Sequence, residues 1–256
     1  MSAPPPAARL LVVLAHPDDE SLACGATIAR AAAAGLVVTI ASLSRGDAGP
    51  ASTAVDGSLG ALRARELEEA AHVLGAAGVV SFAHADGMLP WLDAEALVAD
   101  ITMLIRATAA DAVITFGADG LYWHPDHIAV HERTTDAVAR LGAAAPALYY
   151  VTMPPGQMRA VMDADPAHRA VVPGLPDADA FGAAATPPTL VVPCGAFAAT
   201  KLAALRCHRS QFADSAFAAL DDDVATRLLD VEHFHRAGVG ATGPSVLDAL
   251  ADASHA

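Results

Sequence analysis

Five short apolar runs alternate along this chain with longer helical segments, and that alternation limits its fold more than any other feature. The runs are RLLVVLAH (9–16), LVVTIASLS (36–44), VVSFAHAD (79–86), DAVITFGAD (111–119) and ALYYVTMP (147–154). Rich in Val, Ile and Leu, they read as buried strands. Between them lie residues 18–35, 61–78, 92–110 and 124–142, which carry helical spacing, and three of these four segments end on glycine. Strand–helix alternation of this kind predicts an α/β chain: a doubly wound, Rossmann-like three-layer fold around a mostly parallel sheet, with right-handed crossovers. The 256 residues suit a single domain spanning 1–256. TLVVPC (189–194) reads as a sixth strand and residues 196–212 as a further helix. Prolines 155, 166, 173, 176, 187 and 188 mark an irregular excursion at about 155–188, and a frayed tail is expected from about residue 243.

Composition excludes several classes. The net charge of −14 and a pI near 5.0 repel phosphate backbones and anionic lipid surfaces, so no nucleic-acid partner is expected. No segment approaches the roughly 20 apolar residues that span a bilayer, and the apolar stretch near the N-terminus is too short for an export signal. Three widely spaced cysteines without a CxxC pair argue against a disulfide framework. The expected setting is cytoplasmic, with no membrane partner. The sequence leaves room for a homo-oligomer without displaying one.

Polar outliers collect at the same end of successive strands. His16, Asp18 and Asp19 follow the first; Arg45 and Asp47 the second; Asp86 the third; Tyr122, His124, Asp126 and His127 the fourth. In an open parallel sheet the carboxyl ends of the strands share one edge, where ligands bind. A GxGxxG phosphate cradle is absent from the first turn, which reads AHPDDE instead. Imidazole and carboxylates suit a cation, and so many acids at a buried strand end demand one. His16 and Asp19 are three residues apart, a spacing that His124 and His127 repeat. Two imidazoles and one carboxylate suit hydrolytic zinc, and iron(II) or another divalent ion fits the same set. Four candidates thus compete for three ligand positions at the metal site. A metal-activated water also needs a base and a proton donor; Asp18 and Asp19 can take separate roles, one ligating and one accepting a proton, with Asp126 placed to orient an imidazole.

AHPDDE after the first strand and HPDH after a later one resemble the PIG-L/LmbE-like zinc deacetylases, a family that includes the N-acetylglucosaminyl deacetylases of mycothiol and bacillithiol synthesis. The resemblance covers most of the chain. ALRAREL (61–67) is similar to the family's R-x-x-E helix and His84-Ala85-Asp86-Gly87 to its aspartate-glycine turn. KLAALRCHRSQ (201–211) looks like its Lys…His-x-Ser-Gln helix and Glu232-His233-Phe234 its closing E-x-F. The resemblance implies that His16, Asp19 and His127 bind the metal and that Asp18 is the general base. It gives His124 oxyanion stabilisation or amine protonation, with Asp126 holding its imidazole. It places Arg63, Asp86 and Tyr122 around the substrate sugar and the tetrahedral intermediate. Asp47 stands where the family usually has Glu, and Trp123 where a small residue, often Gly, is common.

The expected activity is metal-dependent hydrolysis of an N-acetyl or other N-acyl group from an amino-sugar derivative. The rival readings are an amidase of a thiol-sugar conjugate, a deacylase of an antibiotic or other secondary metabolite, and a non-catalytic metal- or sugar-binding protein. Arg63 also fits a surface ion pair with Glu66, and Asp86 a plain turn former before Gly87. His208 reads as structural or rim-lining rather than as a ligand.

Overall fold

The computed structural model describes residues 7–164, 177–213 and 215–252. Its strands are β1 (Arg9–Leu14), β2 (Val37–Ser44), β3 (Gly78–His84), β4 (Ala112–Phe116), β5 (Ala147–Thr152), β6 (Leu190–Pro193) and β7 (Val231–Gly240). They form one seven-stranded sheet in the order β3-β2-β1-β4-β5-β7-β6. β1 pairs in parallel with β2 (Arg9↔Val37 to Leu14↔Ser42) and with β4 (Leu10↔Ala112), so the most apolar run lies in the sheet's interior. Leu10 to Leu14 are buried, as a strand covered on both faces requires. Strand order reverses between β1 and β4. That switch point opens a crevice between the loops that leave these two strands, and both histidine motifs lie on those loops.

The helices are α1 (Asp19–Ala33), α2 (Leu59–Leu74), α3 (Ala94–Thr108), the single turn α4 (Gly120–Trp123), α5 (Pro125–Arg140), α6 (Gln157–Asp163), α7 (Ala198–Cys207), α8 (Arg209–Phe212), α9 (Ala216–Ala219), α10 (Asp222–Leu228) and α11 (Val246–Asp252). The sheet is thus α/β and mostly parallel, as the strand–helix alternation predicts. β7 falls outside that prediction. It runs antiparallel to both β5 (Val151↔Phe234) and β6 (Leu190↔Phe234). Its sequence, VEHFHRAGVG, interleaves charged residues with only a few buried ones, so it lacks the continuous apolar run that marks the other strands.

Three other expectations change. The helix read at 196–212 breaks at His208 (φ −80°, ψ 56°) into α7 and α8. In place of a frayed tail from 243, α11 buries Leu247 and Leu250, and its Asp248 accepts a hydrogen bond from the Tyr149 hydroxyl at 2.6 Å. Within the expected excursion at 155–188, α6 and Phe181 bury apolar side chains; residues 165–176 lie outside the described residues.

α1 carries a kink that matters for the site. Cys24 is non-helical (φ −151°, ψ 24°), which frees the amides of the next turn from their usual carbonyl partners. Glu232 on β7 supplies the substitute. Its carboxylate accepts from Ala26 N at 3.0 Å and Thr27 N at 2.7 Å, and from Lys201 Nζ on α7 at 2.6 Å. The Lys and E-x-F motifs therefore hold the helix that begins at Asp19.

Candidate metal centre

His16 and Asp19 stand where β1 gives way to α1, and His127 stands in the first turn of α5. Their donor atoms close on one another. His16 Nδ1 lies 3.4 Å from the Asp19 carboxylate and 3.2 Å from His127 Nε2, and His127 Nε2 lies 3.3 Å from Asp19. Ligands about 2.1 Å from a common tetrahedral ion stand about 3.4 Å apart, so this triangle fits one.

The rings' remaining nitrogens explain why the cluster calls for a cation. His127 Nδ1 is 3.1 Å from the Gly120 carbonyl and donates to it. His16 Nε2 lies 3.1 Å from Asp86 Oδ1 and 3.2 Å from Asp126 Oδ2, two carboxylates that can only accept while ionised. Each ring's N–H is thereby assigned outward. The inward nitrogens present lone pairs to each other and to Asp19, an arrangement that satisfies a metal ion. Burial opposes a charge on His16, but Asp126, Asp19 and Asp86 outweigh it and raise its pKa well above the usual value. Burial likewise opposes ionisation of Asp19, and His127 and His16 overcome it.

Asp86 and Asp126 are drawn into this support. Asp126 accepts from Gly87 N at 2.8 Å and Leu89 N at 3.1 Å as well as facing His16. The expectation that its carboxylate holds the His124 imidazole is therefore corrected: the carboxylate turns to His16. His124 is reached by the main chain instead, the Asp126 N–H donating to His124 Nδ1 at 3.2 Å in an N-cap of α5. Asp86, expected at the sugar, also turns to His16 and accepts from Ala48 N, which together hold its pKa near 2 against the opposing effect of burial.

Asp18 is the N-cap of α1 with φ +108°, a left-handed conformation that a non-glycine residue adopts only when its surroundings enforce it. Three contacts enforce it here. Glu20 accepts from Asp18 N at 2.9 Å, and Arg63 donates to Pro17 O at 2.7 Å and to the Asp18 carboxylate at 3.2 Å. Arg63 is 4% exposed and donates also to Gly46 O at 2.7 Å, so it is no surface residue pairing with Glu66. Glu66 instead accepts from Ser210 N and Oγ. Burial, with the Asp19 charge, pushes the Asp18 pKa up to about 6 despite Arg63.

Behind the motif, Glu20 accepts from Ser21 Oγ at 2.5 Å and pairs with His208 Nε2 at 2.7 Å. His208 is fully buried; burial opposes its charge, but Glu20 raises its pKa. His208 and Ser210 of the Lys…His-x-Ser-Gln motif thus grip Glu20, the last residue of AHPDDE, and Glu66, the acid of the R-x-x-E helix; the sequence displays both acids but not these partners. Ser210 and Gln211 carry the same brace to the loop after β2, where Ser52 N donates to Ser210 O and Gln211 Nε2 to Pro50 O.

His124 and Tyr122 flank the triangle. The His124 ring centroid is 4.5 Å from that of His127 and 4.8 Å from that of His16. Burial, then the neighbouring rings, lowers its pKa to about 4. Tyr122 sits edge-on to His124 and His127, and burial beside Asp19 and Asp18 raises its phenol well above the usual value. The turn carrying them is tight. A Cβ on Gly120 (φ +54°) would stand 3.0 Å from His127 Cβ, so glycine lets this turn lie against α5.

Residues 11–138 match the family model described as PIG-L, GlcNAc-PI de-N-acetylase. The chain is also 33% identical to a 1D-myo-inositol 2-acetamido-2-deoxy-alpha-D-glucopyranoside deacetylase of Actinosynnema mirum, over 96% of this chain and 95% of the relative. The chain belongs to the PIG-L family. Its fold matches a conserved protein of Thermus thermophilus (TM-score 0.62, 25% identity, 92% of this chain and 96% of that one). It also matches the N,N'-diacetylchitobiose deacetylase of Pyrococcus horikoshii (TM-score 0.65, 20% identity, 90% and 84%). Among the described residues, no helix is long and apolar enough to cross a membrane.

Proposed function

We propose that this PIG-L family enzyme is a zinc-dependent N-deacetylase of an amino-sugar derivative, with His16, Asp19 and His127 as metal ligands and Asp18 as base. The observation that carries this reading is the triangle of inward-facing donors, 3.2–3.4 Å apart, with Asp18 beside it. The amino-sugar substrate rests on the relatives, whose named activities are deacetylations of such compounds. Zinc, when bound, supplies Lewis acidity toward the amide carbonyl and lowers the pKa of a water.

The chain's own groups do the rest. Asp18, held by Arg63, accepts a proton from the water as oxygen bonds to the acyl carbon. It returns that proton to nitrogen as the C–N bond breaks, leaving acetate and a free amine. His124 is neutral at pH 7. Since its Nδ1 accepts from the Asp126 amide, its Nε2 carries the proton and donates to the developing oxyanion. Tyr122 keeps its proton and offers its hydroxyl as a second donor.

The test pairs elemental analysis of protein purified without chelator with amine release from a panel of N-acetylated amino sugars. About one zinc per chain and release of amine are expected. Asp18→Ala should lose about a thousandfold in turnover with metal retained, and His127→Ala should lose the metal. Near-normal turnover by Asp18→Ala would overturn the base, and full metal occupancy in His127→Ala would overturn the ligand set.

A further inference from the structure

The chain's two tryptophans, Trp91 and Trp123, are 69% and 56% exposed, and both lie on loops tied to the candidate centre. Among the described residues six large hydrophobic side chains are exposed; Met88, at 46%, joins these two, so half of them belong to the same two loops. Asp126 fastens those loops together. Its carboxylate binds the amides of Gly87 and Leu89, and its own amide donates to His124, the residue after Trp123.

Trp123 is placed there against two opposing preferences. Its φ is +67°, in the left-handed region where glycine sits without strain and a bulky side chain does not. Its indole also remains largely in water, so burial offers no compensation. Strain retained at a site's edge points to use by a ligand.

The chemistry of the neighbouring segment narrows what that ligand is. Residues 88–92 read Met-Leu-Pro-Trp-Leu, five apolar side chains in succession, and the indole N–H is their one hydrogen-bonding side-chain group. Met88 and Trp91 are the exposed side chains of this segment, Leu89 belonging to the core, so a polyol or second sugar laid against them would find few side-chain partners for its hydroxyls, whereas an apolar ring would bury area.

We infer that the site takes an amino sugar whose anomeric oxygen carries a flat, apolar aglycone, seated against Trp123 and the Met88–Leu92 segment. This inference rests on the amino-sugar deacetylase reading above and adds its leaving-side specificity.

The zinc-loaded enzyme would be assayed with phenyl, methyl and inositol glycosides of N-acetylglucosamine and with N,N'-diacetylchitobiose. The phenyl glycoside should exceed the methyl by at least about tenfold in kcat/KM, mainly through KM, and should also exceed the inositol glycoside and the disaccharide. Trp123→Gly, which removes the indole without straining the backbone, should bring the phenyl-to-methyl ratio close to one; Trp91→Leu should lower it. Because both indoles are largely exposed and are the chain's two tryptophans, titration with phenyl glucosaminide should shift or quench the tryptophan fluorescence at concentrations where methyl glucosaminide does not. Equal kcat/KM across the panel, a preference for inositol or a second sugar, or a ratio untouched by Trp123→Gly would each overturn the inference. Amine release from none of the four would count against the deacetylase reading instead, and the fluorescence titration would then decide the aglycone site separately.

Discussion

Glu232→Gln isolates the charge that holds the kinked α1. Lys201 and Glu232 are about 5% and 4% exposed with their charged atoms 2.6 Å apart, and the same carboxylate caps the amides of Ala26 and Thr27. Glutamine preserves shape and one acceptor oxygen, so the variant strands the Lys201 ammonium in the interior without opening a cavity. Breaking a buried pair in this way costs about 3–5 kcal/mol. In a chain of this size each kcal/mol shifts Tm by about 2–4 °C, so a fall of roughly 10 °C is expected. Urea denaturation and thermal melting followed by circular dichroism measure both quantities. Lys201→Met combined with Glu232→Gln removes the stranded charge and should recover about 2 kcal/mol or more of the loss. A single-variant loss below about 1 kcal/mol, or a double variant whose loss is merely the sum of the two, would show that the ion pair does not hold the helix.

Arg63→Lys should retain metal but lower kcat tenfold or more, because a point charge cannot serve Pro17 O, Gly46 O and Asp18 at once; steady-state kinetics with metal analysis checks this. Asp126→Asn weakens the carboxylate behind His16 and should reduce zinc affinity by about 10–100-fold in competition with a chelating dye; unchanged affinity would refute the support assigned to it. His131 is depressed below its ordinary pKa, mainly by burial, while its bond to Phe116 O works the other way. The unfolded chain therefore takes up that proton first, and stability is full above about pH 6.5 and falls as pH drops toward the folded pKa. The urea midpoint of the wild type should decline from pH 7.5 to 5.5 more steeply than that of His131→Gln.

Local patterns in the chain expose the parallel part of the sheet and four donor candidates at its edge, His16, Asp19, His124 and His127, because each rests on a short-range signal. A continuous apolar run announces a strand buried on both faces, and the turn after it carries the donors. β7 escapes because its residues are selected by partners far away: Glu232 by the kink of α1 and by Lys201, Phe234 by β5 and β6. The same cause hides the posts of Asp86 and Asp126. Asp86 precedes a glycine turn, where a plain turn former is the local reading and sugar contact what the resemblance implies, and Asp126 lies between His124 and His127, where the resemblance implies a bond to His124. Their oxygens turn to His16, which lies 110 residues from Asp126 in the chain.

The residues alone determined the α/β class, the parallel core of the sheet, and the presence of two imidazole-bearing turns at its carboxyl edge. Those are consequences of periodicity and composition, which act over a few residues. Tertiary structure decided which nitrogen of each ring faces inward, which carboxylates brace His16, and how Arg63, Glu20 and His208 hold Asp18 in a left-handed turn. Hydrogen-bond direction and desolvation depend on atoms that only the folded chain brings within about 3 Å, and those atoms belong to segments far apart in the sequence.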